Sequence, residues 1–337
     1  MARVAVAPNE LYDFLSNNPG FGSNTMDHLH YIDWGEETDN VETLFDDPRD
    51  RRTVRRLIRN GQFTYHCNSV LDGTLNVKSN PWIKPWPDYD LVLAWQKPYA
   101  CTTMPLHHYH CQNRLKKPHR TAMVNQLWQQ DRFSRGTVSY TQELTAEWKH
   151  TVTKPTGEYE WQMYVQGWLP STEGYDADLV TWENNPPPPL QYWNNAAINI
   201  ITETKWLQPN LTEKTFSAML WGRPLLIMGA PGVMKHMRSK GYETHDDVLD
   251  IKSFDRVQDI DARAAALAKV ILDWKSAQEL YRATVDAALR NQARVIHSTA
   301  NLVFPSILTD DSIEWVGSAQ RFRNNCYVAR HQAQTML

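Results

Sequence analysis

Between Ala196 and Gly241 the chain runs "AAINIITETKWLQPNLTEKTFSAMLWGRPLLIMGAPGVMKHMRSKG". Two apolar runs, "AAINIITET" and "RPLLIMG", are short, rich in branched aliphatic side chains and bounded by turn residues, which is the pattern of buried strands. Each is followed by a helical pattern. "TEKTFSAMLWG" stops at Gly222 and "APGVMKHMRSKG" at Gly241, glycines that permit the left-handed C-terminal turn. A strand, a crossover helix and a second strand return the chain in the same direction, so this alternation requires a mostly parallel sheet with helices on its faces. No other stretch of the sequence restricts the fold as much.

The alternation continues on both sides. "ARVAVAP" reads as a first strand, and "DPRDRRTVRRLIRNG", Asp47 to Gly61, as a helix with an acidic start, a basic body and a glycine stop. "QFTYHCNSVL" and "DLVLAWQ" read as further strands, and the stretch after the first strand, including "GFGSNTMDHLHYIDW" (20–34), as acidic and polar loop. "HHYHCQNR" is a strand running into a basic turn, "RTAMVNQLWQQDRF" a helix with Met123, Val124, Leu127 and Trp128 on one side, and "GTVSYT" a strand. "DARAAALAKVILDWKSAQELYRATVDAALRNQARVI" is helical, as two helices. The tail after about residue 318 carries no clear element. Residues 1–103 are expected to form an N-terminal α/β domain and 104–300 a C-terminal one, with 301–337 packing back on the first.

With 337 residues, 42% hydrophobic, the chain is long enough for two cores. Its 35 Lys and Arg against 38 Asp and Glu exclude a whole-protein field that holds nucleic acid, though not a local basic groove. Cys67, Cys101, Cys111 and Cys326 have no C-x-x-C spacing, so neither a zinc ribbon nor a disulfide framework is indicated, and a reducing, cytoplasmic compartment is the simplest expectation. No segment has the ~20 apolar residues of a membrane span. Fourteen tryptophans are many. Several lie in proline-rich stretches, "NPWIKPWPDYD" (80–90) and "TWENNPPPPLQYW" (181–193), rigid aromatic loops that either pack over domain edges or stack on a sugar or base.

Three stretches have the composition of a site. "NRLKKPHR", Asn113 to Arg120, puts Arg114, Lys116, Lys117, His119 and Arg120 between a strand and a helix, where α/β folds bind phosphates, or else forms a solvated basic loop. "NLTEKTF" places Glu213 and Lys214 at a helix start, capped by Asn210 in a capping box or by Thr212, with Glu203 ending the strand before it. "MGAPGVMKH" sets Gly229 and Gly232 around Pro231, a sharp turn allowing close backbone approach at the next helix start. His107, His108 and His110 point to opposite faces of one strand, so no metal site is expected there. Asp27, His28, His30 and Asp33 are candidate general bases among which nothing local selects. Phosphate-loop, nucleophile-elbow, kinase, zinc-protease and dinucleotide fingerprints are all missing from the sequence.

The order of these stretches carries a resemblance. The run 196–247, with "CQNRLKKPHRTAMVNQL" upstream, resembles the donor-binding region of glycosyltransferases related to the alpha-1,3-fucosyltransferases. It is most similar to the viral and bacterial branch, in which an N-R…P-H-R turn, a strand-end acid, a T-E-K block and a G-x-P-G turn follow in this order. The resemblance covers about 105–250, and the asparagine that follows the strand-end acid in fucosyltransferases is missing. It implies the α/β GT-B fold: two Rossmann-like domains facing across a cleft, with C-terminal helices. It also implies metal-independent transfer from a nucleotide sugar, a co-substrate rather than a cofactor, to an acceptor hydroxyl. Residue by residue, Glu203 matches the acid that contacts the sugar, and Glu213 and Lys214 the pair near nucleotide and ribose. Arg114 and Arg120 match the basic turn facing the phosphates, with Asn113 and His119 beside them and Gly229 and Gly232 in the turn. The acceptor is then a glycan or, given the virus-like pattern, a hydroxymethylated base in phage DNA, modified in the host cytoplasm. A non-catalytic carbohydrate- or nucleotide-binding module on the same scaffold is the competing class.

Overall fold

The computed structural model describes residues 2–7, 10–33, 48–67, 83–85, 89–95, 98, 103–113, 117–139, 194–203, 206 and 209–337. Arg114, the side chain of Asp33 and the aromatic stretch 181–193 lie outside the described residues. The fold is mixed α/β, with two sheets of parallel strands and helices between them, and is compatible with two Rossmann-like domains. The chain divides into two compact units: Met1–Trp95 with Ile296–Leu337, and Gln96–Val295.

In the first unit, β1 (Arg3–Val6), β2 (His28–Asp33), β3 (Phe63–Cys67) and β4 (Ile83–Pro85) lie side by side in chain order, and β9 (Glu314–Trp315) adds to the other side of β1. All neighbours are parallel. Alternation decides the faces. Val4, Val6, Leu29, Tyr31, Phe63 and Tyr65 point into a core shared with Leu11 of α1 (Leu11–Asn17) and with Val54 and Leu57 of α2 (Pro48–Arg59). Burying each such side chain contributes roughly 1.5–3 kcal/mol. Arg3, His28, His30, Thr64 and His66 are the alternate residues of the same strands and line the opposite face.

Sequence expectations change here. The stretch after β1 read as loop contains helix α1 and strand β2, whose polar histidines alternate with the buried Leu29 and Tyr31. "DLVLAWQ" is not a strand but belongs to helix α3 (Tyr89–Ala94). Leu91, Val92 and Ala94 are all buried, and so short an apolar run carries no periodicity that separates helix from strand. The unassigned tail forms α11 (Gly317–Gln334), which packs on β1. Its first turn is held by Glu10, whose Oε1 accepts from the Ser318 amide at 2.5 Å and the Ser318 hydroxyl at 2.8 Å.

The second unit carries a sheet in the order β6 (Gly136–Ser139), β5 (His107–Gln112), β7 (Ala196–Thr202), β8 (Leu225–Met228), all parallel. Every residue of β7 and β8 is buried, as both faces of a covered parallel sheet require. Helix α4 (Pro118–Asp131) follows β5, α5 (Glu213–Leu220) follows β7, and α6 (Val233–Ser239) follows β8. Beyond them come α7 (Lys252–Asp255), α8 (Ile260–Leu272), which packs along α4, and α9 (Ala277–Ala300), whose last residues pass into the first unit, where α10 (Ser306–Thr309) follows. Arg223, fully buried, ties the start of β8 to the chain before β5 and β7: its Nη2 donates to the carbonyls of Thr103 (2.6 Å) and Asn194, with the guanidinium over the Tyr281 ring.

Candidate functional site

From β5 the chain of the second unit steps outward to β6, then returns past β5 to β7 and β8. The order therefore reverses between β5 and β7. In open parallel sheets the carboxyl edge at such a reversal is a crevice, because the connections leave in opposite directions. The first two sequence stretches end there. Asn113 follows β5, His119 and Arg120 open α4, Glu203 follows β7, and Glu213 and Lys214 open α5.

Direct bonds join the two stretches across the switch. The Thr202 hydroxyl donates to Asn113 Oδ1 at 2.6 Å. His119 Nε2 donates to the Glu203 carbonyl at 2.6 Å, which fixes that nitrogen as the protonated one. Arg120 turns inward, Nη2 reaching the Thr202 carbonyl at 3.4 Å. Asn113, His119 and Arg120 are all buried. The His119 ring stacks on Trp206, centroids 5.4 Å apart.

Glu203 is 1% exposed, and both carboxylate oxygens are engaged. Oε1 accepts from the Thr212 amide (3.0 Å) and the Thr215 hydroxyl (2.5 Å), and Oε2 from the Thr212 hydroxyl (2.5 Å). Burial pushes its pKa up, against the Lys214 charge and these hydrogen bonds, which pull it down. The resemblance implied that Glu203 touches a sugar. The carboxylate instead faces the first turn of α5 and pins it to β7. Gly229, at the end of β8, lies close enough that an added Cβ would stand 3.3 Å from Glu203 Cβ, so a side chain there would crowd this junction.

Helix starts sort the anion-binding expectations. Thr212, not Asn210, is the N-cap of α5, its hydroxyl accepting from the Lys214 amide. At α6, Gly232 takes φ 87°, the left-handed region open to glycine. The amides of Met234 and Lys235 that would meet a phosphate donate instead to the Asp255 carboxylate, each at 3.0 Å. Asp255 is in turn bound by the buried Arg263. The glycine turn is therefore filled by the protein's own carboxylate, and Gly229 and Gly232 serve packing there. At α4, by contrast, Lys117 is the N-cap, its own side chain makes no cap bond, and Pro118 follows in the first turn. That start lies at the switch point.

Among the described residues at this edge, Lys117, Trp206, Glu213 and Lys214 are partly exposed. Lys214 Nζ pairs with Glu213 Oε1 at 2.5 Å, the side chains 36% and 23% exposed. Trp206 and Thr215 were not singled out from sequence, and Thr212 was read only as a possible helix cap. Trp206 stands between Glu203 and Glu213 outside any proline-rich run, and the threonines' part depends on Glu203 turning inward.

No family model, curated protein or solved structure matches the chain.

The four base candidates of the first unit separate by position. Asp27 precedes β2 at the amino edge, and its carboxylate accepts from the amides of Ala2 (3.1 Å) and Gly22 (3.2 Å), a turn-holding arrangement. His28 opens β2 and contacts Thr64 Oγ1 at 2.9 Å. His30 lies mid-strand with Nδ1 3.3 Å from His66 Nε2, one ring nitrogen donating and the other accepting. Of the four, Asp33 alone stands at the carboxyl end of its strand. Among the described residues no group of three or more His, Cys, Asp or Glu is placed to hold a metal, and no helix is long and apolar enough to cross a membrane.

Proposed function

We propose that this chain is a metal-independent glycosyltransferase of the GT-B type, with the nucleotide-sugar donor bound at the β5–β7 switch point of the second unit. The observation that supports this most is the bonding of two stretches some ninety residues apart, "NRLKKPHR" and "ITETKWLQPNLTEKTF", at one sheet edge through His119, Asn113, Thr202 and Glu203. The diphosphate is met by Lys214, Lys117 and the start of α4, whose dipole favours anions. Trp206, braced by His119, offers an aromatic face to the base. Glu213 accepts from donor hydroxyls. Glu203 acts as a positioning residue that holds Glu213 and Lys214 at the edge. The acceptor hydroxyl attacks the anomeric carbon and its proton passes to a general base. The bond from that carbon to the phosphate oxygen breaks, and the nucleoside diphosphate leaves with its added charge stabilised by the cations.

The test is donor turnover over a panel of nucleotide sugars, with Glu213→Ala and Lys214→Ala as variants. Both side chains are partly exposed, so each variant keeps the wild-type melting temperature while turnover falls at least about 100-fold. Full activity in both variants removes this site. Turnover of no donor by the wild-type chain favours the binding-module reading.

A further inference from the structure

Helix α2 carries a stripe of arginine on the first unit. Val54 and Leu57 are buried in the core at 1% and 0% exposure. Arg52, Arg55, Arg56 and Arg59 are exposed, at spacings of three, four and seven residues that put them on one side of the helix, over about 10 Å. Arg56 Nη2 donates to the Phe21 carbonyl at 3.1 Å and Arg59 Nε to the Arg55 carbonyl at 3.3 Å, bonds that steady the stems.

Helix stability does not account for this pattern. Like charges four apart, Arg52 with Arg56 and Arg55 with Arg59, disfavour the helix. The helix dipole rewards Arg56 and Arg59 in the last turn but not Arg52. Some surface arginines elsewhere are matched to carboxylates, Arg238 with Asp246, Arg290 with Glu243 and Arg323 with Asp311; Arg256, Arg282 and Arg321 are exposed without such a pair among the described residues, but each stands alone rather than in a stripe. Among the described residues Arg52, Arg56 and Arg59 have no carboxylate at ion-pairing distance.

We propose that α2 is a binding surface for the phosphodiester backbone of nucleic acid. All four cations are arginine, whose planar fork engages phosphate oxygens in pairs. Their recurrence at each helical turn suits a regularly spaced line of charges. An anionic bilayer is the poorer partner, because a helix lying on lipid needs apolar side chains on its outer face, and those of α2 face the core. Resting on the glycosyltransferase reading, this makes the acceptor a hydroxyl carried by nucleic acid. The binding itself does not depend on that reading.

The experiment is fluorescence anisotropy of the full chain with a labelled 20-base-pair DNA duplex, without donor, from 20 to 200 mM salt. An unlabelled single strand, an RNA hairpin and phosphatidylserine vesicles serve as competitors. Four phosphate contacts give a slope of log K against log salt near −3.6, about −0.9 for each contact. The double variant Arg52→Gln/Arg59→Gln lowers that slope by about 1.8 and weakens binding roughly 60-fold at 0.1 M salt, from counterion release alone. Its melting temperature is unchanged. Arg52→Lys/Arg59→Lys keeps the slope. The proposal is overturned by no binding at 20 mM salt, by a double variant that binds like the wild type, or by vesicles displacing the duplex. Competition by the single strand or the hairpin supports the surface and names the form of nucleic acid. Donor hydrolysis, read separately, decides the glycosyltransferase reading whatever α2 binds.

Discussion

His30, His110 and His245 are buried where a charged imidazole is costly. His30 is held down to about 3 by burial first and then by His66, His28 and Arg3, and His110 to about 3 by burial and His107. His245 falls to about 4 through burial, against the pull of Asp247, Glu243 and Asp246. The folded chain therefore keeps these rings neutral while the unfolded chain protonates them near 6.5. A depressed folded pKa means stability present above 6.5 and lost as pH falls towards about 4. Each histidine removes about 1.4 kcal/mol per pH unit in that window. The second unit holds two of them, so urea unfolding at pH 5.5 against pH 7.5 should lose roughly 2.7 kcal/mol from it. A flat stability between those values would contradict this account. Of the residues picked from sequence, Lys214 and Glu213 could be recognised as a charged pair at a helix start because that signal is local. The inward turn of Glu203 and Arg120 was not legible, since it depends on threonines and carbonyls contributed by other segments.

At the scale of elements, carboxylates satisfy helix starts in both units. Glu10 holds α11, Glu203 holds α5, Asp255 holds α6, and Asp259 caps α8 through the Ala262 amide. Each supplies an acceptor to amides that have none within the helix and a negative charge to the positive end of the dipole. Glu203→Ala leaves one amide and two hydroxyls without their acceptor inside the fold. Chemical denaturation should register a loss of about 2–4 kcal/mol, with a smaller loss for Glu203→Gln, whose amide oxygen still accepts. A loss below about 1 kcal/mol in the alanine variant would show that the carboxylate does not anchor α5. Strands β7 and β8 and helices α4, α5, α6, α8 and α9 were legible because apolar runs, glycine stops and caps coincide there. Helix α3 was misread as a strand because its apolar run is too short for periodicity to discriminate. Strand β2 was missed because His28 and His30 occupy the face away from the core. The two residues of β9 are a strand only by pairing with β1, some three hundred residues earlier.

For the whole molecule, the alternation of strands and helices was enough to expect parallel sheets, and both sheets are parallel. The division falls at Trp95 and Ile296, where the sequence reading sets 103 and 300 and returns the C-terminal segment to the first domain. The exact bounds depend on contacts that leave no composition signal. The strand order of the second unit is likewise silent in the sequence, yet it makes the β5–β7 edge a crevice and so gives the donor proposal its place. Only binding chemistry can bear on that proposal directly. The decisive measurement is the melting temperature of the full chain with nucleoside diphosphates and nucleotide sugars, because a ligand that binds only the folded state raises it by mass action. The account predicts a rise with at least one of them, about 2.7 kcal/mol of added stability at a hundred times its Kd, and no rise at the same concentrations in Lys214→Ala. No rise with any nucleotide, or an equal rise in Lys214→Ala, would contradict it.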